Sequence, residues 1–404
     1  MSGKKKNVIS KASPHTIKKF ELIEEYIKSW AQKLLLNDSC NGLIFIDCMC
    51  NSGIYTDDDG NPVKGTALRV SEALREAART YTEKNIHIYL NDKDKARVDE
   101  LEKHLPNDER NFKIVTSRGD AHELLRTIGP QLYGTGHLHY FLLYDPYDAT
   151  IDWEALLPFF RNWGEVMINH MVSDPVRAIT SAKKKTTKEK YENTYLEDFE
   201  KLVPYGSDKK AYEARVEEII NSLKGSRRYY VSAFPFYNTQ NSLVYNLIHC
   251  TSNKVGFRLY KKSAWKVFGA QSSTKRSAEN RQLSFNFDGE IVVEEDDSCL
   301  HVVDIARYLD RSFRGRKQVP LNELWELLDN HPIFPSDGFR DEVRKELKGF
   351  GAKVERIVNP DTGKKETVIS SMCYIAFCRI VVRHYKAVLP IGSNAGCFFA
   401  LRTV

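Results

Sequence analysis

The sequence lacks the marks of a secreted or membrane-spanning protein. Its first 19 residues are basic but contain no apolar core, so they do not resemble a secretory signal, and no apolar run is long enough to cross a bilayer. Its eight cysteines form no CxxC pair and no Cys/His set with zinc spacing. We therefore expect a cytoplasmic protein in a reducing compartment, without a disulfide framework and without a metal site.

The sequence also lacks a strong charge of either sign. Lys and Arg total 60 against 54 Asp and Glu, which gives a formal net charge of +6 over 404 residues. This mild basic excess permits contact with nucleic acid but does not demand it, because binding depends on local patches. The length of the chain fits two or three domains.

Short apolar runs alternate with amphipathic stretches along the first part of the chain. The runs that we predict as strands are 43–47, 86–90, 112–115, 138–143 and 165–169. Such alternation is typical of a parallel sheet with helices on both faces. Two β-rich runs, 228–236 and 242–250, predict a hairpin, which is the usual ending of class I methyltransferases. We therefore expect an α/β fold, a class I methyltransferase-like Rossmann sheet with an antiparallel C-terminal hairpin.

Changes in composition divide the chain into segments. Near the C-terminus, three predicted helices followed by a second hairpin indicate a winged helix-turn-helix-like domain. The last stretch contains no Asp or Glu, and we assign it no role. The predicted divisions are an N-terminal helical extension (1–37), a methyltransferase-like α/β domain (38–270) with a helical insertion (182–225), a linker (271–298), a winged-helix-like domain (299–370) and a C-terminal tail (371–404).

Four aspartates stand where predicted strands end, or directly after them. They are Asp47, Asp92, Asp120 and Asp145. Because the carboxyl ends of parallel strands meet at one edge of a sheet, we expect the four side chains to converge on one crevice. A nucleoside cofactor such as S-adenosylmethionine needs such partners, for its ribose hydroxyls, its adenine amino group and its ammonium group. Any single Asp in such a place is also common as a turn residue or helix cap.

The loop after Asp47 contains the sequence Cys48-Met49-Cys50-Asn51-Ser52-Gly53. Gly53 is the residue that would let the backbone approach a cofactor closely, and Asn51 tolerates a left-handed backbone. The two cysteines fit a space-filling role under the loop better than a metal or redox role. We therefore predict a cofactor site formed by Asp47, Gly53, Asp92 and Asp120.

The motif Asp145-Pro146-Tyr147 resembles the Asp-Pro-Pro-Tyr signature of amino methyltransferases. In that signature the acid or a backbone carbonyl accepts a hydrogen bond from the target amine, and the aromatic ring stacks on the base. We therefore predict Asp145 and Tyr147 as the catalytic residues. This sequence has one proline where the signature has two, and the alternative is a proline-stabilised turn with a packed tyrosine.

A set of basic residues recurs at helical spacing on the third helix of the predicted winged-helix-like domain: Arg340, Arg344, Lys345 and Lys348. This spacing suits a recognition helix in a major groove. Asp341, Glu342 and Glu346 lie between them and dilute the positive charge. Contact with DNA, RNA or protein therefore stays open for this domain.

Several segments, taken in order over about residues 15–270, resemble the three-Cys-motif partner proteins. The matching segments are His15–Trp30, Phe45–Asp47, Gly65–Leu68, Gly119–Ala121, Asp145–Tyr147 with Trp153, and Ile168–Asn169 with Arg177. The resemblance implies a Rossmann-type methyltransferase-like fold. It also implies a partner encoded nearby, the three-Cys-motif protein, which resembles radical S-adenosylmethionine proteins. The chain departs from the family at Cys48–Gly53, where the family more often has an Ala-Gly-rich loop.

Three functional hypotheses follow. The first is a three-Cys-motif partner protein that binds S-adenosylmethionine and acts on nucleic acid together with a three-Cys-motif protein. The second is a non-catalytic adaptor or nucleic-acid-binding partner with an eroded cofactor site, favoured by the single glycine in the first loop. The third is a nuclease that uses clustered carboxylates and Mg²⁺, which ranks last because no lysine follows in the usual order.

Overall fold

A computed structural model describes residues 8–132, 138–161, 163–179, 181–205, 208–223, 229–276, 298–359 and 363–370, and the backbone of 284–285 and 291–292. The chain divides into two compact units. The first comprises Met1–Val302 and Trp325–Phe339, and the second comprises Val303–Leu324 and Arg340–Val404. The predicted domain 299–370 is therefore not one unit here, because its middle segment belongs to the first unit. The predicted tail, 371–404, lies outside the described residues.

The helices and strands are numbered in chain order. The described strands are β1 (Ser10–Lys11), β2 (Gly42–Asp47), β3 (Ile54–Thr56), β4 (Pro62–Lys64), β5 (Asn85–Asp92), β6 (Phe112–Arg118), β7 (Leu138–Tyr144), β8 (Gly164–Met171), β9 (Tyr230–Tyr237), β10 (Leu243–Thr251), β11 (Ser284–Phe285), β12 (Ile291–Val292), β13 (Gln318–Pro320), β14 (Lys353–Val358) and β15 (Lys365–Ser370). The described α-helices are α1 (Pro14–Leu35), α2 (Thr66–Thr80), α3 (Lys95–Glu102), α4 (Ala121–Gln131), α5 (Trp153–Leu156), α6 (Ser173–Ile179), α7 (Lys185–Tyr195), α8 (Phe199–Leu202), α9 (Lys209–Leu223), α10 (Lys254–Phe268), α11 (Val302–Ser312), α12 (Leu321–Asn330) and α13 (Arg340–Gly349).

The first unit is built around a mostly parallel sheet with the strand order β6-β5-β2-β7-β8-β10-β9. Strands β6, β5, β2, β7 and β8 run parallel, and β10 pairs antiparallel with both β8 and β9. The predicted alternation and the predicted hairpin are both confirmed. The strand order is that of a class I methyltransferase-like sheet, in which the first strand of the sheet along the chain lies in the middle and the order reverses beside it.

Strand β2 lies at the centre because it is apolar up to its last residue, Asp47. All of its residues from Gly42 to Asp47 are buried, as expected for a parallel strand covered on both faces. Its neighbour β7 is also buried over its last five residues. In the edge strand β6 only Phe112 is buried, and the other residues are half-buried or exposed. Burial therefore fixes which strand ends lie at the middle of the sheet.

Helix α1 belongs to the core of the first unit, although the sequence suggested an extension over 1–37. It begins at Pro14, and it carries an apolar stripe that is buried at Phe20, Ile23, Tyr26, Ile27 and Trp30. The Tyr26 and Trp30 rings lie 5.8 and 5.7 Å from the ring of Phe141 in β7. Helix α1 is thus held against the sheet by aromatic packing.

The helical insertion between β8 and β9 packs on the sheet and forms an apolar layer with it. It begins with α6 at Ser173, earlier than the predicted residue 182. Buried side chains from α7 to α9 join the same apolar cluster as Tyr144 and Ile168 of the sheet, among them Tyr191, Tyr195, Phe199, Tyr212 and Val216. The insertion is therefore part of the fold rather than a peripheral arm.

Several short elements escaped the sequence analysis. Strands β1, β3 and β4 form a small sheet, β11 pairs with β12 within the predicted linker, and β13 joins β14 and β15 in a three-stranded antiparallel sheet. Strands of two or three residues give too little periodicity to be recognised. In the part of the chain that the structure describes, no helix combines the length and the apolar character needed to cross a membrane.

Candidate functional site

The four predicted aspartates all lie at the carboxyl edge of the sheet. Asp47 and Asp92 are the last residues of β2 and β5, while Asp120 and Asp145 follow β6 and β7. These strands are consecutive in the order β6-β5-β2-β7 and run parallel. Their ends therefore form one continuous rim, as the sequence predicts.

Asp92 already accepts three hydrogen bonds from its own chain. It is 1% exposed, and its carboxylate accepts hydrogen bonds from the backbone amides of Asn51 at 3.0 Å and Asp94 at 2.8 Å. The Tyr147 hydroxyl donates a third bond, at 2.5 Å. Of these donors, only the tyrosine side chain belongs to a partly exposed residue that can move away without unfolding the backbone. Asp92 can therefore offer an acceptor to a ligand hydroxyl if Tyr147 leaves.

The first loop has the backbone that the sequence suggests, but its glycine is explained by packing. Asn51 has a φ of 60° and Gly53 a φ of 72°, both in the left-handed region. A Cβ atom on Gly53 would collide with the side chain of Leu101 and lie 3.0 Å from Leu68. This glycine is thus required for contact with the protein's own side chains. Cys48 and Cys50 are buried beneath the loop, as the space-filling interpretation predicts.

Asp120 caps a helix. It is the N-cap of α4, and one of its oxygens accepts from the amides of His122 at 2.9 Å and Glu123 at 3.3 Å. Burial alone would raise its pKa, but the hydrogen bonds from the Glu123 and His122 amides lower it. Its other oxygen lies 4.0 Å from the ammonium of Lys93, and the side chain is 39% exposed. The capping role is therefore established by geometry, and one oxygen still faces the rim.

Asp145 is held by two residues that the sequence analysis did not assign to the site. Lys19 of α1 donates to one carboxylate oxygen at 2.6 Å, and Asn169 of β8 donates its side-chain amide to the other at 2.6 Å. The ammonium of Lys19 also lies over the ring of Tyr245, 5.2 Å from its centroid. Lys19 is buried, so the ion pair forms away from bulk solvent. We call Lys19, Asp47, Asp145 and Asn169 the carboxyl-edge cluster.

A signal for Lys19 was present in the sequence. It lies four residues before Ile23 and seven before Tyr26, which places it on the apolar stripe of α1. A charged residue on a stripe that faces the core needs a partner of opposite charge. That partner is Asp145, which lies 126 positions away in the sequence and could not be identified without the fold.

Asp47 is a buried carboxyl group beside other acids. It is 3% exposed, and one oxygen accepts from the amide of Met49 at 3.2 Å. Burial raises its pKa to about 8, with further contributions from Asp145 and Asp92, so the group is largely protonated at neutral pH. Burial, followed by the charges of Asp145 and Asp47, also raises the pKa of Tyr55, which places that hydroxyl in the same environment. Within the described residues no group of three His, Cys, Asp or Glu side chains is arranged to hold a metal ion.

Tyr147, one of the two predicted catalytic residues, contacts Asp92 of the predicted cofactor site. Its side chain is 57% exposed although its hydroxyl reaches Asp92. The guanidinium of Arg97 lies 4.9 Å from the centre of the Tyr147 ring and also donates to its hydroxyl. Burial, and then the bond to Asp92, raise the pKa of this phenol, so it acts as a donor. The ring therefore covers the Asp92 part of the rim in this state.

The second unit carries a separate groove, with a volume of about 630 Å³. It is lined by Leu321, Asp341, Arg344, Lys345, Lys348, Val354, Glu355, Arg356 and Thr367, from α12, α13, β14 and β15. Arg344 pairs with Asp341 at 2.8 Å, whereas Lys345, Lys348 and Arg356 form no ion pair with any residue that the structure describes. The groove therefore presents uncompensated positive charge. Three of the four predicted recognition-helix cations line it.

Comparison with known proteins gives no family for this chain. No family model matches it, and no curated protein matches it. Among solved structures, Trm1 from Pyrococcus horikoshii, solved with S-adenosyl-L-methionine, overlaps with 12% identity and a TM-score of 0.32, covering 58% of this chain and 55% of that chain. A loganic acid methyltransferase solved with SAH overlaps with 12% identity and a TM-score of 0.29, covering 67% of this chain and 87% of that chain. Similarity this low carries no weight for function, which has to be inferred from the residues themselves.

Proposed function

We propose that the first unit is a methyltransferase-like domain that binds S-adenosylmethionine at the carboxyl edge of its sheet and transfers a methyl group to nucleic acid. The observation that carries the proposal is the row of strand-end aspartates on consecutive parallel strands. Asp92 would bind the ribose hydroxyls, Asp120 the adenine amino group and Asp47 the ammonium, with the Gly53 loop beside them. Asp145 and Tyr147 would face the methyl acceptor.

The chemistry of these residues suits the cofactor. A ribose hydroxyl can replace the hydroxyl of Tyr147 on Asp92, because both groups donate one hydrogen bond to the same carboxylate. Asp47, with its pKa of about 8, ionises more easily when a cation is placed beside it. S-adenosylmethionine would supply an electrophilic methyl group on sulfur. The residues of this chain would bind it, exclude water and orient the acceptor.

The test is calorimetric binding of S-adenosylhomocysteine to the wild-type protein and to Asp92→Ala. We expect micromolar affinity for the wild type and a loss of about 100-fold in the variant, since the buried charged acceptor for a ribose hydroxyl is removed. Asp59→Ala, an exposed loop residue, is the matched control and should bind as the wild type does. Absence of binding heat with folded wild-type protein would refute the cofactor proposal.

The second unit supports a winged-helix-like module that contacts nucleic acid. Between Val302 and Ser370 the elements follow the order helix, strand, helix, helix, strand, strand, from α11 to β15, with most of α12 assigned to the first unit. The groove of the second unit is basic. The double variant Lys345→Glu/Lys348→Glu should weaken binding to a labelled DNA or RNA duplex and reduce its salt dependence by about two charges. Lys317→Glu, an exposed lysine outside the groove lining, is the control. An unchanged salt slope would argue for a protein ligand instead.

An adaptor is the second candidate, and it is favoured because Asp92 already accepts hydrogen bonds from Asn51, Asp94 and Tyr147. In that case the chain keeps the fold, lacks the cofactor and serves a cytoplasmic three-Cys-motif protein, the partner that the family resemblance implies. Co-purification with the three-Cys-motif protein encoded nearby tests the partnership. Complex formation with the three-Cys-motif protein, together with no binding heat from S-adenosylhomocysteine, would favour the adaptor. Binding of S-adenosylhomocysteine would favour the enzyme.

A further inference from the structure

The carboxyl-edge cluster contains an acceptor that the chain does not use. Asn169 is 3% exposed, and its side-chain nitrogen donates to Asp145 at 2.6 Å. Its side-chain oxygen is buried and has no hydrogen-bond partner among the described residues. The orientation of the amide is set by the chemistry, because its oxygen would be repelled by the carboxylate that its nitrogen contacts. A buried acceptor without a donor is unfavourable unless a ligand or water completes it.

The position of this oxygen is defined by strand register. Ile168 of β8 is paired with Tyr144 of β7, so Asn169 lies level with Asp145 on the neighbouring parallel strand. On the other side of β8, Asn169 is paired with Leu247 of β10. Two residues further along the same pair of strands, Met171 is paired with Tyr245. The unused oxygen therefore lies at the carboxyl edge, beside the residue that the proposed function places against the methyl acceptor.

The surrounding charges define which ligand group fits. Lys19 and the Asn169 nitrogen already supply one donor to each oxygen of Asp145. What remains is acceptor capacity: the Asn169 oxygen and the second lone pairs of the carboxylate. A group with two or more N–H donors satisfies these acceptors, whereas a carboxylate or carbonyl would meet only other acceptors and be repelled.

We propose that Asn169 is a specificity-determining residue that recognises the N–H donors of an amino methyl acceptor, so that the transfer is to nitrogen. This rests on the proposed function. The amine nitrogen uses its lone pair to form the new N–C bond while the C–S bond breaks and its electron pair returns to sulfur, leaving a neutral thioether. The surplus proton leaves the methylated nitrogen for solvent by way of the Asp145 carboxylate, which the Lys19 ammonium holds in place.

Sinefungin provides a probe that needs no knowledge of the acceptor. It carries a primary amine on carbon where S-adenosylmethionine carries its methylated sulfur, whereas S-adenosylhomocysteine carries no group there. The Asn169 oxygen should therefore favour sinefungin. We expect the wild type to bind sinefungin about tenfold more tightly than S-adenosylhomocysteine. Calorimetry of both ligands measures the ratio.

The first variant is Asn169→Leu, whose side chain has a similar size but no hydrogen-bonding group. The second is Asn169→Ala, which is used if the leucine variant does not fold. Each should reduce the ratio about tenfold while the affinity for S-adenosylhomocysteine stays within about threefold. Ile168→Val, whose side chain points to the opposite face of the same strand, is the matched control and should keep the wild-type ratio. Thermal melting checks that each variant is folded.

The outcomes separate this inference from the function on which it rests. Wild-type protein that binds S-adenosylhomocysteine but shows no preference for sinefungin overturns the role of Asn169 and leaves the cofactor proposal standing. The role of Asn169 is likewise overturned if both of its variants keep the wild-type ratio. If neither ligand binds the wild type, the proposed function fails and this inference fails with it.

Discussion

Two carboxylate clusters lie at opposite ends of the same sheet, and they differ in which atom each leaves without a partner among the described residues and in what encloses that atom. One is the carboxyl-edge cluster. The second, which we call the amino-edge cluster, consists of Tyr26, Glu165 and His249. Glu165 is near the start of β8, whereas Asn169 is near its end. Helix α1 contributes to both, because Lys19 and Tyr26 are two turns apart on one buried face.

The amino-edge cluster is closed by aromatic side chains. Glu165 is 8% exposed and accepts from the Tyr26 hydroxyl and from a His249 ring nitrogen at 2.7 Å. The ring of Tyr260 lies 5.6 Å from Tyr26 and 4.7 Å from His249. Helix α10 approaches so closely that a Cβ on Gly256 would lie 2.5 Å from a Glu165 oxygen. There is no room here for a ligand.

The comparison separates a stabilising role from a functional one. At the amino edge the carboxylate accepts from Tyr26 of α1 and His249 of β10, and the Nδ1 atom of His249, which has no partner among the described residues, is enclosed by aromatic rings. At the carboxyl edge, burial raises the pKa of Asp47 to about 8, and an acceptor on Asn169 is left over beside Asp145. The Asn169 oxygen differs from the His249 nitrogen because it lies at the carboxyl edge, where open α/β sheets bind ligands. Substitutions at the two edges should therefore have different consequences.

The largest effect on stability is expected for Glu165→Ala. The substitution leaves the Tyr26 hydroxyl and a buried His249 nitrogen without their acceptor, so we expect the free energy of unfolding to fall by about 3 kcal/mol. Denaturant unfolding followed by circular dichroism measures it. Glu76→Ala, with a side chain that is 76% exposed, is the control and should change stability by less than about 0.5 kcal/mol. A loss at Glu165 as small as that of the control would contradict the structural role of the amino-edge cluster.

A smaller effect that depends on pH is expected for Asp47→Asn. Burial raises the pKa of the folded-state carboxyl to about 8, whereas an unfolded Asp has a pKa of about 3.9. The folded state therefore binds more protons between these values, and Asp47 makes the wild type less stable as the pH rises through this window. Asparagine does not titrate, so the variant should gain about 2 kcal/mol relative to the wild type between pH 6 and pH 8.

Chemical denaturation of the wild type and Asp47→Asn at a series of pH values measures this difference. Asp59→Asn, at an exposed position, controls for the general effect of removing a carboxyl group. Parallel stability curves for the wild type and Asp47→Asn from pH 5 to pH 9 would show that Asp47 is ionised in the folded protein. The carboxyl-edge cluster would then resemble the amino-edge cluster more closely than the geometry indicates.

The fold and the rim were predictable from the sequence because they depend on local patterns. Apolar runs such as 43–47 end in a polar residue, and the parallel arrangement then brings Asp47, Asp92 and Asp145 to one edge. The partners of these aspartates were not predictable. Lys19 and Asn169 reach Asp145 only through the docking of α1 and the register of β8, which are tertiary facts. The same holds for the pairing of Glu165 with His249, 84 positions away.

The division into domains was also only partly predictable. The predicted hairpin of β14 and β15 follows from two β-rich runs around a turn, and the structure confirms it. The assignment of Trp325–Phe339 to the first unit depends on contacts with α10, such as the bonds from the Lys261 ammonium to the carbonyls of Leu328 and His331. No pattern within the segment itself reports such contacts.

The smallest effect is expected at Asp120, the exposed member of the rim. Asp120→Ala removes the acceptor for two backbone amides at the start of α4, so the free energy of unfolding should fall by about 1 kcal/mol. Asp120→Ser keeps a capping oxygen and should restore most of this loss. Because serine keeps the cap but has no carboxylate to accept from an adenine amino group, both variants should bind S-adenosylhomocysteine more weakly than the wild type. Wild-type affinity in Asp120→Ser would mean that Asp120 is a cap alone, and that the functional part of the rim is confined to the buried carboxylates of β2, β5 and β7.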